Sequence, residues 1–291
     1  MITHAGVAET NLIQRDFEEQ PGCVVRSMFK KTETGWQIST DTVESLFWNI
    51  LYNGKKLISI SGKLNYPEDT GFLMRDISYE IPCNVLPHIG KKSRTFSGWP
   101  DVPIYRPLIA TTSSFISRPL FKKYNVLTAD IGIISSFIWS KLNQDSLLDY
   151  VYNGLNKDSS VNHSISKDSL INSINHAYSF GPNRILICVD LNICMETIRQ
   201  KRPFNEFLYD SHIWDMTGKD SYHEFTKNAW FYISDGEVTY IDFKMLLLDY
   251  GDLDGDGKSE VIFRMEKYNN DGYILFSERN KQIIKYDWSY H

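Results

Sequence analysis

Strand-like runs of apolar residues, broken by turn residues, extend from Cys23 to about Leu64 and return from Arg184 onward. The clearest example is the apolar run 46–52, which meets Asn53-Gly54 before a second apolar run begins. Asn-Gly between two such runs is the strongest short-range signal for a β-hairpin, because both turn residues must adopt positive φ. Asp235-Gly236 predicts a second hairpin, and the continuous apolar run 184–191 predicts a buried strand.

A different period appears in the middle of the chain. Apolar residues recur at three-to-four spacing from Ile131 to Leu142, and the pattern continues through Leu148 to a stop at Gly154. A second, shorter helix is predicted over 168–178. We therefore expect a helical insertion over 126–180.

These patterns predict a mainly β protein with a helical insertion, α+β overall, with an irregular β-propeller-like arrangement of the strands as one option. The first twenty residues are polar and acidic, which suggests a short helix or a loose arm. The expected divisions are an N-terminal arm, a β-rich region with Pro-rich loops, the helical insertion and a β-rich C-terminal region: 1–22, 23–125, 126–180 and 181–291. The second and fourth are expected to form one domain.

Composition narrows the function classes. The aromatic share of 14% favours strands, since aromatic side chains suit a pleated, half-buried surface. The net charge is −5 and no stretch concentrates Lys and Arg, so the basic footprint of a nucleic-acid binder is missing. No apolar run reaches the roughly 18 residues that a membrane-spanning helix needs. No nucleic acid partner and no membrane span are therefore expected.

The cysteines leave the redox setting open. Cys23, Cys83, Cys188 and Cys194 permit two disulfides in three pairings, with buried free thiols as the alternative. None stands in a Cys-x-x-Cys pair, which argues against zinc or thioredoxin-like chemistry. The opening residues lack the basic start and apolar core of a signal peptide. The chain is thus either cytosolic or an exported protein whose leader is absent from this sequence.

One loop near the C-terminus carries recognisable chemistry. Calcium takes six to eight oxygen ligands at roughly 2.3–2.6 Å, and carboxylates at alternate positions can turn inward around it. Gly257 stands where the loop must bend sharply and meets no steric cost there. The pattern predicts a Ca²⁺ site formed by three aspartates, one backbone carbonyl and one glutamate: Asp252, Asp254, Asp256, Lys258 (carbonyl) and Glu260. The alternative is an acidic surface turn that binds nothing.

The flanks of this loop distinguish it from an EF-hand. Phe263 stands where an EF-hand needs a bidentate Glu, and both flanks look like strands. The loop closely resembles the FG-GAP, or VCBS-type, repeat of integrin-like β-propellers and many secreted bacterial proteins, and the resemblance covers roughly 228–291. It implies export from a bacterial cell and a structural calcium, and it implies no activity. This chain contains one copy of the loop, whereas regular propellers of this kind repeat the loop in several blades.

The sequence contains no Gly-x-Ser-x-Gly, no His-Glu-x-x-His and no phosphate-binding loop, which favours a non-catalytic role. We expect a calcium-stabilised periplasmic or secreted binding protein with a protein partner, one version being an inhibitor or immunity protein against a secreted toxin or hydrolase. One alternative is a calcium-assisted hydrolase of glycans or lipids, with the acids Asp76, Glu80, Asp101, Asp215 and Glu224 as candidates. Another is a carbohydrate-binding, adhesin-like module that stacks sugars on Trp36, Trp48 or Trp99. The oligomeric state is left open.

Overall fold

The computed structural model describes residues 2–15, 18–40, 42, 44–52, 54–65, 77–86, 107–113, 122–126, 132, 135–136, 174–190, 213–214, 220–221, 228–243, 245–267 and 270–289. These residues form almost nothing but strands and turns. The strands are β1 (Thr3–Arg15), β2 (Glu18–Thr32), β3 (Gly35–Ile38), β4 (Ser45–Tyr52), β5 (Lys55–Asn65), β6 (Ser78–Ile81), β7 (Leu108–Thr111), β8 (Lys122–Lys123), β9 (Ile174–Gly181), β10 (Arg184–Asp190), β11 (Ile213–Trp214), β12 (Asp220–Ser221), β13 (Asn228–Ser234), β14 (Glu237–Phe243), β15 (Met245–Gly251), β16 (Glu260–Lys267), β17 (Asn270–Ser277) and β18 (Gln282–Ser289). Among the described residues, no helix has the length and apolar character to cross a bilayer.

The chain divides into two compact units, and each unit draws on separate stretches of sequence. Unit 1 consists of Met1–Pro119, His212–Tyr222 and Leu246–His291. Unit 2 consists of Leu120–Ser211 and His223–Met245.

The first seven strands of unit 1 form one sheet in the order β1-β7-β4-β5-β6-β2-β3. Strand β1 also pairs with β2 along its whole length, from Thr3 opposite Lys31 to Arg15 opposite Glu18. This additional pairing closes six strands into a barrel, and β3 is added to β2 outside the ring. Closure gives the ring strands partners for the backbone groups that an open sheet leaves bare at its edges. The predicted Asn53-Gly54 hairpin is confirmed as the β4–β5 turn, with Gly54 at φ 68°.

The interior of the barrel is filled by apolar side chains from all six ring strands, as a small closed barrel requires. The members of this inner cluster are Ala8, Cys23, Val25, Trp48, Ile50, Leu64, Tyr79, Ile81, Leu86, Leu108 and Ala110. The largest are Trp48 and Tyr79, whose ring centroids lie 5.5 Å apart. Both rings are fully buried, so neither reaches the surface of the protein.

A disulfide fixes one side of the barrel. Cys23 on β2 is bonded to Cys83 in the short 3-10 turn after β6, with the two Cα atoms 5.1 Å apart. Cys188 on the strand Arg184–Asp190 is buried, and Cys194 lies outside the described residues. Of the pairings that the sequence left open, the structure therefore contains Cys23–Cys83.

A four-stranded antiparallel sheet, β15 to β18, packs against the outer face of the barrel within unit 1. Neighbouring positions on the barrel strands serve opposite faces, as the period of two demands: Ala8 points inward, whereas Val7 points toward the second sheet. The outer cluster contains Ala5, Val7, Met28, Phe29, Trp36, Leu51 and Ile109 from the barrel side and Leu248, Leu253, Ile262, Tyr273 and Leu275 from the C-terminal side. The barrel thus has apolar surfaces inside and outside, and the second sheet covers the outer one.

Polar contacts fix the alignment of the C-terminal sheet on the barrel, and this packed interface is called the joint below. The Gln282 side chain accepts a hydrogen bond from the Trp36 N–H at 2.8 Å and donates to the Trp36 carbonyl at 2.7 Å. Arg26 forms an ion pair with Glu9 at 2.8 Å, and the Tyr273 hydroxyl donates to the same carboxylate. Burial, followed by the charge of Glu9, holds the pKa of Tyr273 well above its ordinary value, so the hydroxyl stays protonated as a donor.

Unit 2 contains a five-stranded sheet in the order β14-β13-β10-β9-β8. The predicted buried strand over 184–191 is confirmed as the central strand β10, in which Leu186, Ile187 and Val189 are fully buried. The predicted hairpin is confirmed as the β13–β14 turn, with Asp235 at φ 51° and Gly236 at φ 80°.

The expected helical insertion over 126–180, and with it the α+β class, is wrong. Residues Ile174–Gly181 form strand β9, which pairs with β10 on one side and β8 on the other. The apolar run of β10 offers this segment an antiparallel partner, and such tertiary pairing overrides a weak local period. Helical backbone is described at positions 132, 135 and 136, and most of 127–173 lies outside the described residues.

Two further expectations are corrected by the barrel. A propeller arranges separate four-stranded blades around a channel, whereas the strands of unit 1 hydrogen-bond in a closed ring. The propeller-like arrangement is therefore wrong. The N-terminal arm over 1–22 is also wrong, because Thr3–Arg15 is β1 and β2 starts at Glu18. Its acidic composition concealed a continuous run of buried positions, from His4 to Ala8.

Replacing both Cys23 and Cys83 by alanine should lower the free energy of unfolding by about 2–4 kcal/mol, because the cross-link no longer restricts the unfolded chain across 60 positions. Urea unfolding followed by tryptophan fluorescence measures this loss. The wild type treated with a reductant should unfold at the same urea concentration as the double variant. A double variant as stable as the oxidised wild type would contradict the prediction.

Candidate metal centre

The acidic loop connects β15 to β16, so the predicted strand–loop–strand arrangement is confirmed. Two glycines let the backbone reverse direction within a few residues. Gly255 has φ 80° and Gly257 has φ 83°, a region that side-chain-bearing residues rarely adopt. The loop is therefore curled inward on itself, with its carboxylates on the concave side.

The curl brings together three carboxylates, those of Asp252, Asp254 and Glu260. One oxygen from each lies within 4.8 Å of the others. Two oxygens that bind the same calcium at roughly 2.3–2.6 Å can be at most about 5 Å apart, so this spacing fits one shared ion. A hard cation with oxygen ligands is the species that this donor set would hold.

These carboxylates are buried, and backbone N–H groups of the same loop hold them in place. Asp252 accepts hydrogen bonds from Gly255 at 2.7 Å and from Gly257 at 2.9 Å. Glu260 is fully buried and accepts from the Leu253 N–H at 2.9 Å and from the Ser277 hydroxyl at 2.9 Å. The orientation of the carboxylates is therefore set before any cation arrives.

Asp256 and Lys258 do not join this group. One Asp256 oxygen accepts from the Lys258 N–H at 2.8 Å, and the other meets Arg279 at 2.9 Å. The side chain of Lys258 is exposed. The structure thus unites three of the predicted ligand residues, whereas ligation by Asp256 and by the Lys258 carbonyl stays a prediction.

The loop and the end of β15 that leads into it contact the barrel at three points. The Thr111 hydroxyl donates to the Leu253 carbonyl at 2.7 Å, and the Gly54 N–H donates to Asp249 at 3.0 Å. Lys31 on β2 places its ammonium 2.5 Å from Asp254. On the opposite side, Ser259 exchanges hydrogen bonds with Glu278, its N–H donating at 3.2 Å and its carbonyl accepting at 3.0 Å.

Burial and mutual repulsion disfavour negative charge in the loop. Burial, followed by the charge of Asp254, raises the pKa of Glu260 well above its ordinary value. Burial also raises the pKa of Asp252, against the lowering effect of the hydrogen bonds from Gly257 and Gly255. Of the ion pairs among the described residues, Lys31–Asp254 is the one that reaches this carboxylate group. A divalent cation would relieve the excess negative charge that remains.

Sequence reasoning did not find Lys31, Thr111, Ser277 or Glu278 as neighbours of the loop. The first two belong to barrel strands far away in the sequence, and no local pattern marks them. Ser277 is the last residue of β17, and Glu278 begins the turn that leads to β18. Their contacts depend on how the sheet is paired and could not be read from spacing.

Two alternative functions lose some of their candidate residues. Trp36 and Trp48, expected as sugar-stacking faces, are buried at 2% and 0% exposure and are corrected to core residues. Trp99 lies outside the described residues. Of the five acids considered for a hydrolase, only Glu80 is described, on β6, where it pairs with β2 and β5. The others, Asp76, Asp101, Asp215 and Glu224, lie outside the described residues.

No protein-family model, curated protein or solved structure matches this chain.

The metal-free protein should become more stable as the pH falls from neutral toward about 5, because the folded state then binds more protons than the unfolded state. The raised pKa of Glu260 and of Asp252 sets this sign. The free energy of unfolding changes with pH in proportion to protons bound unfolded minus protons bound folded, which is negative between the ordinary and the raised pKa. Urea unfolding in the presence of a chelator, at several pH values, measures the slope.

Glu260→Gln is the matched comparison, since it removes one titrating group from the buried loop. Its slope should be smaller than that of the wild type over the same pH range. Equal slopes in the two proteins would show that Glu260 does not take up a proton in the folded state.

Proposed function

We propose that this chain is a calcium-stabilised, non-catalytic binding protein that works in the periplasm or outside the cell. The observation that carries the proposal is the group of three buried carboxylates, Asp252, Asp254 and Glu260, within 4.8 Å of one another. Asp256 and the Lys258 carbonyl complete the expected ligand set. The resemblance of the loop to FG-GAP or VCBS-type repeats points to the same ion.

The position of the loop supports a structural role for the ion. Leu253 lies inside the loop and is fully buried in the apolar cluster that joins the C-terminal sheet to the barrel. The Thr111 and Lys31 side chains attach the same loop to barrel strands. A cation bound there would hold the loop closed over the joint, and its ligands leave little coordination free for a substrate.

The Cys23–Cys83 disulfide supports the expected location. Disulfides form and persist in the periplasm and outside cells, and they are rare where thiol reductants are abundant. Free calcium is also available mainly outside the cytoplasm, at the level that weak extracellular sites require. Export from a bacterial cell is the setting in which both features would operate.

A protein partner is the second part of the proposal. Phe47 is 74% exposed, and Leu57 on the adjoining strand is 53% exposed. Both belong to the β4–β5 hairpin of the barrel. Large apolar side chains exposed on one hairpin favour a binding face there. An inhibitor or immunity protein acting on a secreted toxin or hydrolase is the concrete version.

Calcium added to metal-stripped protein should raise the stability of the wild type by about 2.7 kcal/mol when it is present at one hundred times its Kd. Thermal unfolding with and without calcium measures the shift. In Asp254→Asn the shift should be largely lost, because a buried ligand carboxylate is gone. Asp287→Asn, which changes an exposed carboxylate on β18, should respond as the wild type does. If millimolar calcium does not change the stability of the wild type, the loop is an acidic turn that binds no calcium.

The protein partner should be captured from a periplasmic or secreted extract by the wild type and lost with Phe47→Ser. The change removes the most exposed large apolar side chain and leaves the buried neighbour Trp48 in place. Glu237→Ser, at an exposed position that begins β14 of unit 2, is the matched control and should retain the partner. Equal capture by wild type and Phe47→Ser would exclude this hairpin as the binding face.

A further inference from the structure

Lys31 occupies an unusual place for a lysine. It lies on β2 of the barrel, opposite Trp36 on β3, and only 19% of its side chain is exposed. The ammonium stands 2.5 Å from an oxygen of Asp254 and 5.4 Å from the centre of the Trp36 ring. A lysine at a surface would keep its charge in water, whereas this one carries its charge into the carboxylate loop.

The Asp254 oxygen that it meets is the one left available for a cation. The Asp254 side chain is 4% exposed, and its first oxygen, Oδ1, accepts the Asp256 N–H at 3.1 Å. The second oxygen, Oδ2, is buried, and the Lys31 ammonium is the group among the described residues that meets it. A buried carboxylate oxygen needs a donor or a positive charge beside it, and Lys31 supplies that charge here.

We propose that Lys31 is a built-in cation of the loop that competes with calcium for Asp254 and so weakens calcium binding. This inference rests on the calcium site proposed above and names the residue that regulates it. A divalent ion shared by Asp252, Asp254 and Glu260 would lie within a few ångströms of the ammonium, where two like charges in a partly buried setting repel strongly. Calcium therefore binds only by moving the Lys31 ammonium away from Asp254.

The surroundings of Lys31 provide a place for the displaced charge. The face of the Trp36 ring is already close to the ammonium and attracts cations. The stem of a lysine is flexible, so the charge can remain over the ring after it leaves the carboxylate. The metal-free loop is then stabilised by Lys31 and the loaded loop by calcium, with an affinity suited to the calcium levels found outside cells.

The test is calorimetric titration of calcium into metal-stripped wild type, Lys31→Met, Lys31→Arg and Lys63→Met. Lys31→Met removes the competing charge and should lower the calcium Kd by about tenfold or more, equivalent to ~1.4 kcal/mol. Lys31→Arg keeps the charge and should bind calcium no more tightly than the wild type. Lys63→Met, which alters an exposed lysine on β5, should leave the Kd unchanged.

Three outcomes separate this inference from the calcium site itself. If the wild type binds calcium and Lys31→Met binds it no more tightly, the role of Lys31 is overturned and the calcium site still stands. If Lys31→Met binds calcium and the wild type does not, the competition between Lys31 and calcium for Asp254 is supported, and the lysine takes the place of the metal in the native protein. No binding by either protein overturns both proposals.

Because Lys31→Met leaves Asp254 without its partner, the variant could lose its fold when metal is removed. Lys31→Gln, which retains a hydrogen-bond donor, provides a second neutral variant. Thermal unfolding at one fixed, excess calcium concentration then serves as the second readout: both neutral variants should gain more stability from calcium than the wild type gains, because a lower Kd gives a larger gain at the same concentration. An equal or smaller gain in both overturns the inference.

Discussion

Unit 1 depends on burying several carboxylates that repel one another. Asp252 and Glu260 are almost or fully inaccessible, and desolvation of this kind disfavours the charged form of each group. The negative charge of these carboxylates is offset by the backbone N–H groups of the loop, by the Ser277 hydroxyl and by the Lys31 ammonium. The loop is buried because Leu253, which lies within it, belongs to the apolar cluster that packs the sheet against the barrel. Packing therefore draws the charges inward, and their compensation decides how stable the joint can be.

The same joint explains why the barrel strands are apolar on both faces. A barrel that stood alone would bury only its inner face and would show a polar outer one. Here Val7 and Ile109 face the second sheet, while Ala8 and Leu108 face the interior. Several polar groups at the joint are partnered, such as Glu9 with Arg26 and Tyr273. Partnered groups of this kind specify one alignment of the two sheets without leaving a buried charge alone.

The sequence predicted those parts of the fold that local chemistry determines. The turns at Asn53-Gly54 and Asp235-Gly236 follow from residues that accept positive φ, and the acidic loop follows from Asp spacing with glycines at its bends. The closed barrel could not be predicted, because the β1–β2 and β1–β7 pairings join segments that no local pattern connects. Strand β9 was mistaken for a helix because its polar residues gave no clear period of two. The contact between Lys31 and Asp254 could not be predicted for the same reason, because it joins strand β2 to a loop near the other end of the chain.

Unit 1 is discontinuous in sequence, and this has a consequence for how the molecule is made. Its barrel strands precede unit 2 along the chain, and its C-terminal sheet follows unit 2. A chain that emerges N-terminus first therefore holds a barrel whose outer face, including Phe29 and Trp36, stays uncovered while unit 2 is being produced. Exposed apolar surface in such an intermediate favours aggregation, so the chain is most prone to aggregate before β15 to β18 are added. The acidic loop follows unit 2 in the sequence and is therefore among the last parts of unit 1 that can form.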